Sequence, residues 1–88
     1  MTVKVLIADD DALIRDGLSI IFTLDARFAA PVVVENGRQA CESCRNTEID
    51  VALLDVRMPL MDGVQATAKI AAETKTKVII LTTFDEDE

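Results

Sequence analysis

Apolar runs that each end in a carboxylate or a hydroxyl do most to limit what this chain can fold into. Val51-Ala52-Leu53-Leu54 is uninterrupted, begins with a β-branched residue and stops at Asp55. A run so short and so continuously apolar predicts a strand buried on both faces. Val3-Lys4-Val5-Leu6-Ile7-Ala8 ends in Asp9-Asp10-Asp11, and Val78-Ile79-Ile80-Leu81 ends in Thr82-Thr83. In open α/β sheets, ligand sites lie just beyond the carboxyl ends of the strands. Strand ends carrying acids and a hydroxyl therefore predict one shared pocket.

Helical patterns lie between these runs. Asp11 predicts an N-cap, and Ile14, Gly17, Leu18, Ile21 and Phe22 have the spacing of one buried helix face. Gly17 lowers helix propensity by roughly 1 kcal/mol relative to alanine, which predicts close packing of that turn on the sheet. Pro31 marks a break before a short strand, Val32-Val33-Val34. Asn36-Gly37 then reads as a strand-to-helix loop, and a second helix runs from Arg38 to about Asn46. The third strand spans Asp50 to Leu54. Met58-Pro59-Leu60-Met61 is a loop, because proline removes a donor and extends the residue before it. Asp62 caps a third helix with Ala66, Thr67 and Ile70 facing inward, and Thr74 to Lys77 lead to strand four. Strict alternation of strand and helix predicts a parallel sheet covered on both faces, with right-handed crossovers. Residues 1–88 read as one domain, without repeats or linkers.

Charge and cysteine content narrow the function. The net charge of −7 opposes gripping nucleic acid through its phosphates, and opposes docking on an anionic membrane. No apolar run approaches the ~18 residues of a spanning helix, and no signal-peptide pattern opens the chain, so the cytoplasm is the expected location. Cys41 and Cys44 form a C-x-x-C, but the chain has no second pair and no histidine, whereas a zinc site needs about four ligands. Helix positions three apart hold their Cβ atoms ~5–6 Å apart, wider than the ~3.5–4.5 Å of a disulfide. The pair reads as two small residues on a helix.

Asp9, Asp10 and Asp55 would crowd negative charge into one cleft. Like charges raise one another's pKa unless something offsets them. A hard divalent cation is the usual offset, and Mg²⁺ takes one or two carboxylates together with water or phosphate oxygens. The competing reading of Asp9, Asp10 and Asp11 is that acids favour the positive end of a helix.

Taken in order, Ala8-Asp9-Asp10, Leu54-Asp55-Val56-Arg57-Met58-Pro59, Met61-Asp62-Gly63 and Leu81-Thr82-Thr83 resemble the receiver domain of two-component response regulators. The wording around them is most similar to the LuxR/NarL-type subfamily. The resemblance implies an α/β, flavodoxin-like, doubly wound parallel sheet of strand order 2-1-3-4. It also implies a domain incomplete at its C-terminus: a last strand, the last two helices, a lysine and a switch aromatic would follow Glu88, with Asp85 capping the fourth helix. Asp55 would be the nucleophile that takes a phosphoryl group from a sensor histidine kinase. Mg²⁺ would be bound directly by Asp10, Asp55 and the backbone carbonyl of Arg57, and through water by Asp9. Thr82 would hydrogen-bond a phosphoryl oxygen. The output would be transcription regulation through a helix-turn-helix DNA-binding domain outside this chain. In this reading the chain is a phosphoacceptor and not a turnover enzyme.

Two other functions compete. A phosphatase of the haloacid-dehalogenase type also uses a strand-end aspartate, but wants a second aspartate two residues later, where this chain has Arg57. A thiol redox module would rest on Cys41 and Cys44. One further expectation concerns assembly. Val78-Ile79-Ile80-Leu81 would form an open edge strand without proline or charge, a template for another chain, and the expected outcome is a symmetric homodimer, formed either by pairing these edges or by swapping an element.

Overall fold

The computed structural model describes residues 2–81. Seven elements alternate along it: β1 (Val5–Ala8), α1 (Ala12–Thr23), β2 (Val32–Val34), α2 (Gly37–Asn46), β3 (Val51–Asp55), α3 (Gly63–Glu73) and β4 (Lys77–Leu81). The strands form one parallel sheet in the order β2-β1-β3-β4. This is the flavodoxin-like arrangement expected from the sequence. Ala8 pairs with both Val34 and Leu54, and Asp55 pairs with Leu81, so the strand ends lie level with one another.

Alternation along the strands divides the core in two. Leu6, Ala8, Ala52 and Leu54 face α2 and α3, where they meet Ala40, Cys41, Cys44, Ala66 and Ile70. Val5, Ile7 and Leu53 face the other way, toward Leu18, Phe22 and Phe28. Small residues let α2 and α3 approach closely: the Cys41 thiol lies 3.8 Å from the Ala66 carbonyl oxygen and 3.6 Å from the Met61 sulfur. Burial pushes both cysteine thiols above their ordinary pKa. Such thiols stay protonated and unreactive, so the C-x-x-C serves packing.

The first helix departs from expectation. None of its residues is buried, and Ile21 is 62% exposed. A Cβ added at Gly17 would meet nothing within 4 Å, so this glycine has no close contact with the sheet. The physical reason is that α1 packs chiefly on β1. The face of a lone helix that touches one strand is narrower than the periodicity suggests, so Leu18 and Phe22 carry the contact. Smaller boundary shifts also appear. Val3 makes only an isolated bridge to Phe28 ahead of β1, and β3 extends to Asp55 itself.

Each helix begins with a capping side chain. Asp11 accepts from the Leu13 N–H at 2.9 Å, Asn36 from Gln39 at 2.8 Å and Asp62 from Gln65 at 2.8 Å. In α3 the Gln65 side chain also accepts from the Asp62 N–H, completing a capping box. Between β3 and α3, Leu60 adopts φ 70°. The left-handed conformation costs a residue with a Cβ about 1–2 kcal/mol, and Leu60 is 69% exposed, so packing does not repay it. Among the described residues, no helix is long and apolar enough to cross a membrane.

Candidate functional site

The parallel register carries the ends of β1 and β3 to the same edge of the sheet. There Asp9, Asp10 and Asp55 each offer a carboxylate oxygen, all within 4.8 Å of one another. Asp9 is 3% exposed and Asp55 8% exposed, while Asp10 is open to solvent. The order β2-β1-β3-β4 creates this meeting, because the chain passes from β1 to β2 on one side and then crosses back past β1 to β3 on the other. Ligands bind at such a switch point.

Local hydrogen bonds hold the acids in place. The Asp9 N–H donates to the Val34 carbonyl at 3.3 Å. Its Oδ1 accepts from the Asp11 N–H at 2.9 Å, and its carbonyl accepts from Arg15 Nη1 at 2.8 Å. Asp9 thus shapes the turn into α1 as well as lining the cluster. On the β3 side, Gly63 donates to the Val56 carbonyl at 2.9 Å. A Cβ on Gly63 would overlap the Asp55 carbonyl oxygen and lie 3.0 Å from the Val56 Cα. The absent side chain is what lets α3 begin directly against the strand end. Gly37 does the same for α2: its N–H donates to the Met61 carbonyl at 3.0 Å, and a Cβ there would overlap that oxygen.

The cluster is electrostatically strained. Desolvation holds the Asp55 carboxyl above its ordinary pKa, and the charge of Asp9 adds to this. The Val56 N–H opposes the shift, Asp10 raises the pKa further, and the Arg57 N–H lowers it. The three carboxylates are all hard oxygen donors, which matches the preference of Mg²⁺. Among the described residues no other group of three acidic, cysteine or histidine side chains converges in this way. A separate cavity of about 250 Å³ lies at the other end of the sheet, lined by residues including Cys44, Glu48 and Lys75. It lacks such a cluster.

Of the site residues read from the sequence, Asp9, Asp10 and Asp55 are brought together, and Arg57 follows in the adjoining loop. The expectations for Thr82 and Asp85 fall outside the described residues. Sequence reasoning missed the roles of Gly37, Gly63 and Arg15. Asn36-x-x-Gln39 and Asp62-x-x-Gln65 are capping patterns that mark the helix starts at which the two glycines sit.

Comparison with known proteins gives one consistent family. The response regulator receiver domain family matches residues 5–88. The transcriptional regulatory protein YdfI of Bacillus subtilis is 37% identical over 84 residues, covering 96% of this chain and 39% of that protein. A protein-glutamate methylesterase/protein-glutamine glutaminase of Vibrio vulnificus is 32% identical over 87 residues, covering 99% of this chain and 23% of that protein. The signal receiver domain of the putative response regulator NarL from Mycobacterium tuberculosis superposes with a TM-score of 0.88 at 34% identity, covering 98% of this chain and 70% of that one. The chain therefore spans well under half the length of these curated relatives.

Proposed function

Because the chain belongs to the response regulator receiver domain family, we propose that Asp55 is its phosphoacceptor and that a sensor histidine kinase is the donor. The observation that carries this is the convergence of the Asp9 and Asp10 carboxylates on the buried Asp55 at the strand ends. Donor phosphohistidine, protonated on its free ring nitrogen, loses its phosphorus–nitrogen bond. A phosphorus–oxygen bond forms to an Asp55 carboxylate oxygen, and neutral imidazole departs with the electron pair. Phosphoryl transfer of this kind depends mostly on positioning and charge neutralisation.

Asp10, Asp55 and the Arg57 carbonyl would hold Mg²⁺, with Asp9 acting through water. The ion supplies positive charge against the phosphoryl oxygens and the carboxylates. Asp9 keeps the turn into α1 fixed so that Asp10 stays beside Asp55. Gly63 keeps α3 close enough to seat the Asp55 backbone. Thr82 is assigned to a phosphoryl oxygen. The chain is consumed and renewed as a phosphoprotein, without turnover of a separate substrate.

We assign the output to transcription regulation of the LuxR/NarL type, through a DNA-binding part of the protein beyond this segment; similarity to YdfI and NarL supports this. The cytoplasm is the location that fits a kinase-fed receiver. Acetyl phosphate with Mg²⁺ tests the acceptor. Intact-mass and peptide mass spectrometry should find one phosphoryl group on Asp55, absent in Asp55→Asn. Label on another residue would overturn the assignment, and steady hydrolysis of added phosphoesters would favour a phosphatase.

Self-association is the second proposal. Among the described residues, β4 pairs only with β3. Ile79 is 51% exposed on that open strand. Unpaired edges of this kind template strand addition, so this 88-residue chain should form a homodimer through β4. Light scattering coupled to size exclusion should give a dimer mass that falls on dilution. A monomer mass at every concentration would refute it.

A further inference from the structure

We infer that Arg15 is a positioning residue of the acidic cluster. It sets the affinity for Mg²⁺ without touching the metal, by fixing the peptide group that joins Asp9 to Asp10. This rests on the metal-assisted phosphotransfer reading above. Arg15 Nη1 donates to the Asp9 carbonyl oxygen at 2.8 Å. A peptide group is planar, so the bond that holds this carbonyl also fixes the direction in which the Asp10 N–H and Cα leave it. Asp10 is open to solvent, and little packing holds its side chain. Its backbone must therefore keep its carboxylate within 4.8 Å of those of Asp9 and Asp55, against their like charge. Repulsion would swing the exposed member outward first.

The other bonds of this turn do a different job. The Asp9 N–H reaches the Val34 carbonyl at 3.3 Å, and Asp9 Oδ1 accepts from the Asp11 N–H at 2.9 Å. These hold the strand end and the Asp9 side chain, whereas Arg15 holds the peptide that leads to Asp10. The placement of Arg15 is itself unusual. It is the fourth residue of α1, in the first turn, where the positive end of a helix disfavours a cation. The acidic turn supplies the offset. Charge and position then predict opposite results. As a charge, Arg15 repels a dication, so its removal should tighten Mg²⁺ binding. As a tether, its removal should loosen binding, because an outer partner of a metal site contributes about 10–100-fold in affinity.

The test is calorimetric Mg²⁺ titration of wild type, Arg15→Met, Arg15→Lys and Leu18→Ala at a temperature where each is folded, with melting curves taken without metal. Leu18 packs α1 onto the sheet through a core contact that does not involve the acids, so Leu18→Ala loosens the helix and spares the turn. Arg15→Met keeps the apolar stem and removes both charge and donor. It should bind Mg²⁺ about tenfold more weakly. Labelling of Asp55 by acetyl phosphate should then need correspondingly more Mg²⁺ to reach half its maximal rate, while the rate at saturating Mg²⁺ stays close to wild type. Arg15→Lys, which keeps a charged donor, should recover most of the affinity. Leu18→Ala should melt lower than wild type yet bind Mg²⁺ as wild type does. Equal or tighter binding in Arg15→Met would overturn the role, as would an equal loss in Leu18→Ala or no recovery in Arg15→Lys. A wild type that binds no Mg²⁺ would overturn the metal assignment itself, and this role with it.

Discussion

Gly63→Ala should destabilise the protein by about 3 kcal/mol or more, because the new methyl group meets backbone and not a movable side chain. The Cβ would overlap the Asp55 carbonyl oxygen and stand 3.0 Å from the Val56 Cα. To make room, α3 must move away from β3, breaking the 2.9 Å hydrogen bond from Gly63 to the Val56 carbonyl. A domain has only ~5–15 kcal/mol of stability in all, so partial unfolding is expected. Urea melts of wild type, Gly63→Ala and Gly17→Ala read this directly. Gly17 has open space around its Cα, so alanine there should stabilise by roughly 1 kcal/mol through helix propensity. Equal effects at the two glycines would show that the strand-end contact carries no weight.

Mg²⁺ should bind the acidic cluster and raise the melting temperature, and Asp10→Asn should weaken that binding by at least ~10-fold, the lower bound for losing a metal-site partner. The expected gain follows mass action, since an ion that binds only the folded state stabilises it. The metal-free protein has its own signature. Asp55 is held above its ordinary pKa by desolvation first and by Asp9 next. A carboxyl raised in the folded state favours folding while protonated. Its penalty is absent below the unfolded pKa of ~3.9. It grows as pH rises from there to the folded value, and is complete above it. Asp55→Asn should therefore be more stable than wild type at neutral pH by about 0.5–2 kcal/mol, the range of relieved functional sites. The difference should vanish in acid, and should shrink or reverse when Mg²⁺ is added. Chemical denaturation across pH, with and without Mg²⁺, checks both parts. An advantage for Asp55→Asn that is the same at every pH would remove the charge-crowding explanation. Identical Mg²⁺ affinity in wild type and Asp10→Asn would remove Asp10 from the ligand set.

The sequence by itself determined the order of elements, the parallel sheet and the identity of the acids. Continuous apolar runs such as Val51-Ala52-Leu53-Leu54 and caps such as Asp11 and Asp62 are local signals, visible because strand and helix periods differ and capping groups sit at fixed offsets. Tertiary structure alone decided the rest. Whether Ile14, Gly17, Leu18, Ile21 and Phe22 form a buried face depends on how much sheet lies beneath α1, and only Leu18 and Phe22 found it. Periodicity reports which residues share a side, not what stands opposite. The need for glycine at positions 37 and 63 comes from the closeness of Met61 and Asp55 across the fold. The exposure of Leu60 in a left-handed backbone is likewise unreadable from Met58-Pro59-Leu60-Met61, because leucine carries no turn preference of its own. The crowding of Asp9 and Asp55 at neighbouring strand ends was legible, but their approach to within 4.8 Å, and the burial that leads in raising the Asp55 pKa, follow from the crossover that sets β1 beside β3. Local chemistry is written along the chain, whereas burial and charge proximity belong to pairs of segments and exist only once the chain has closed on itself.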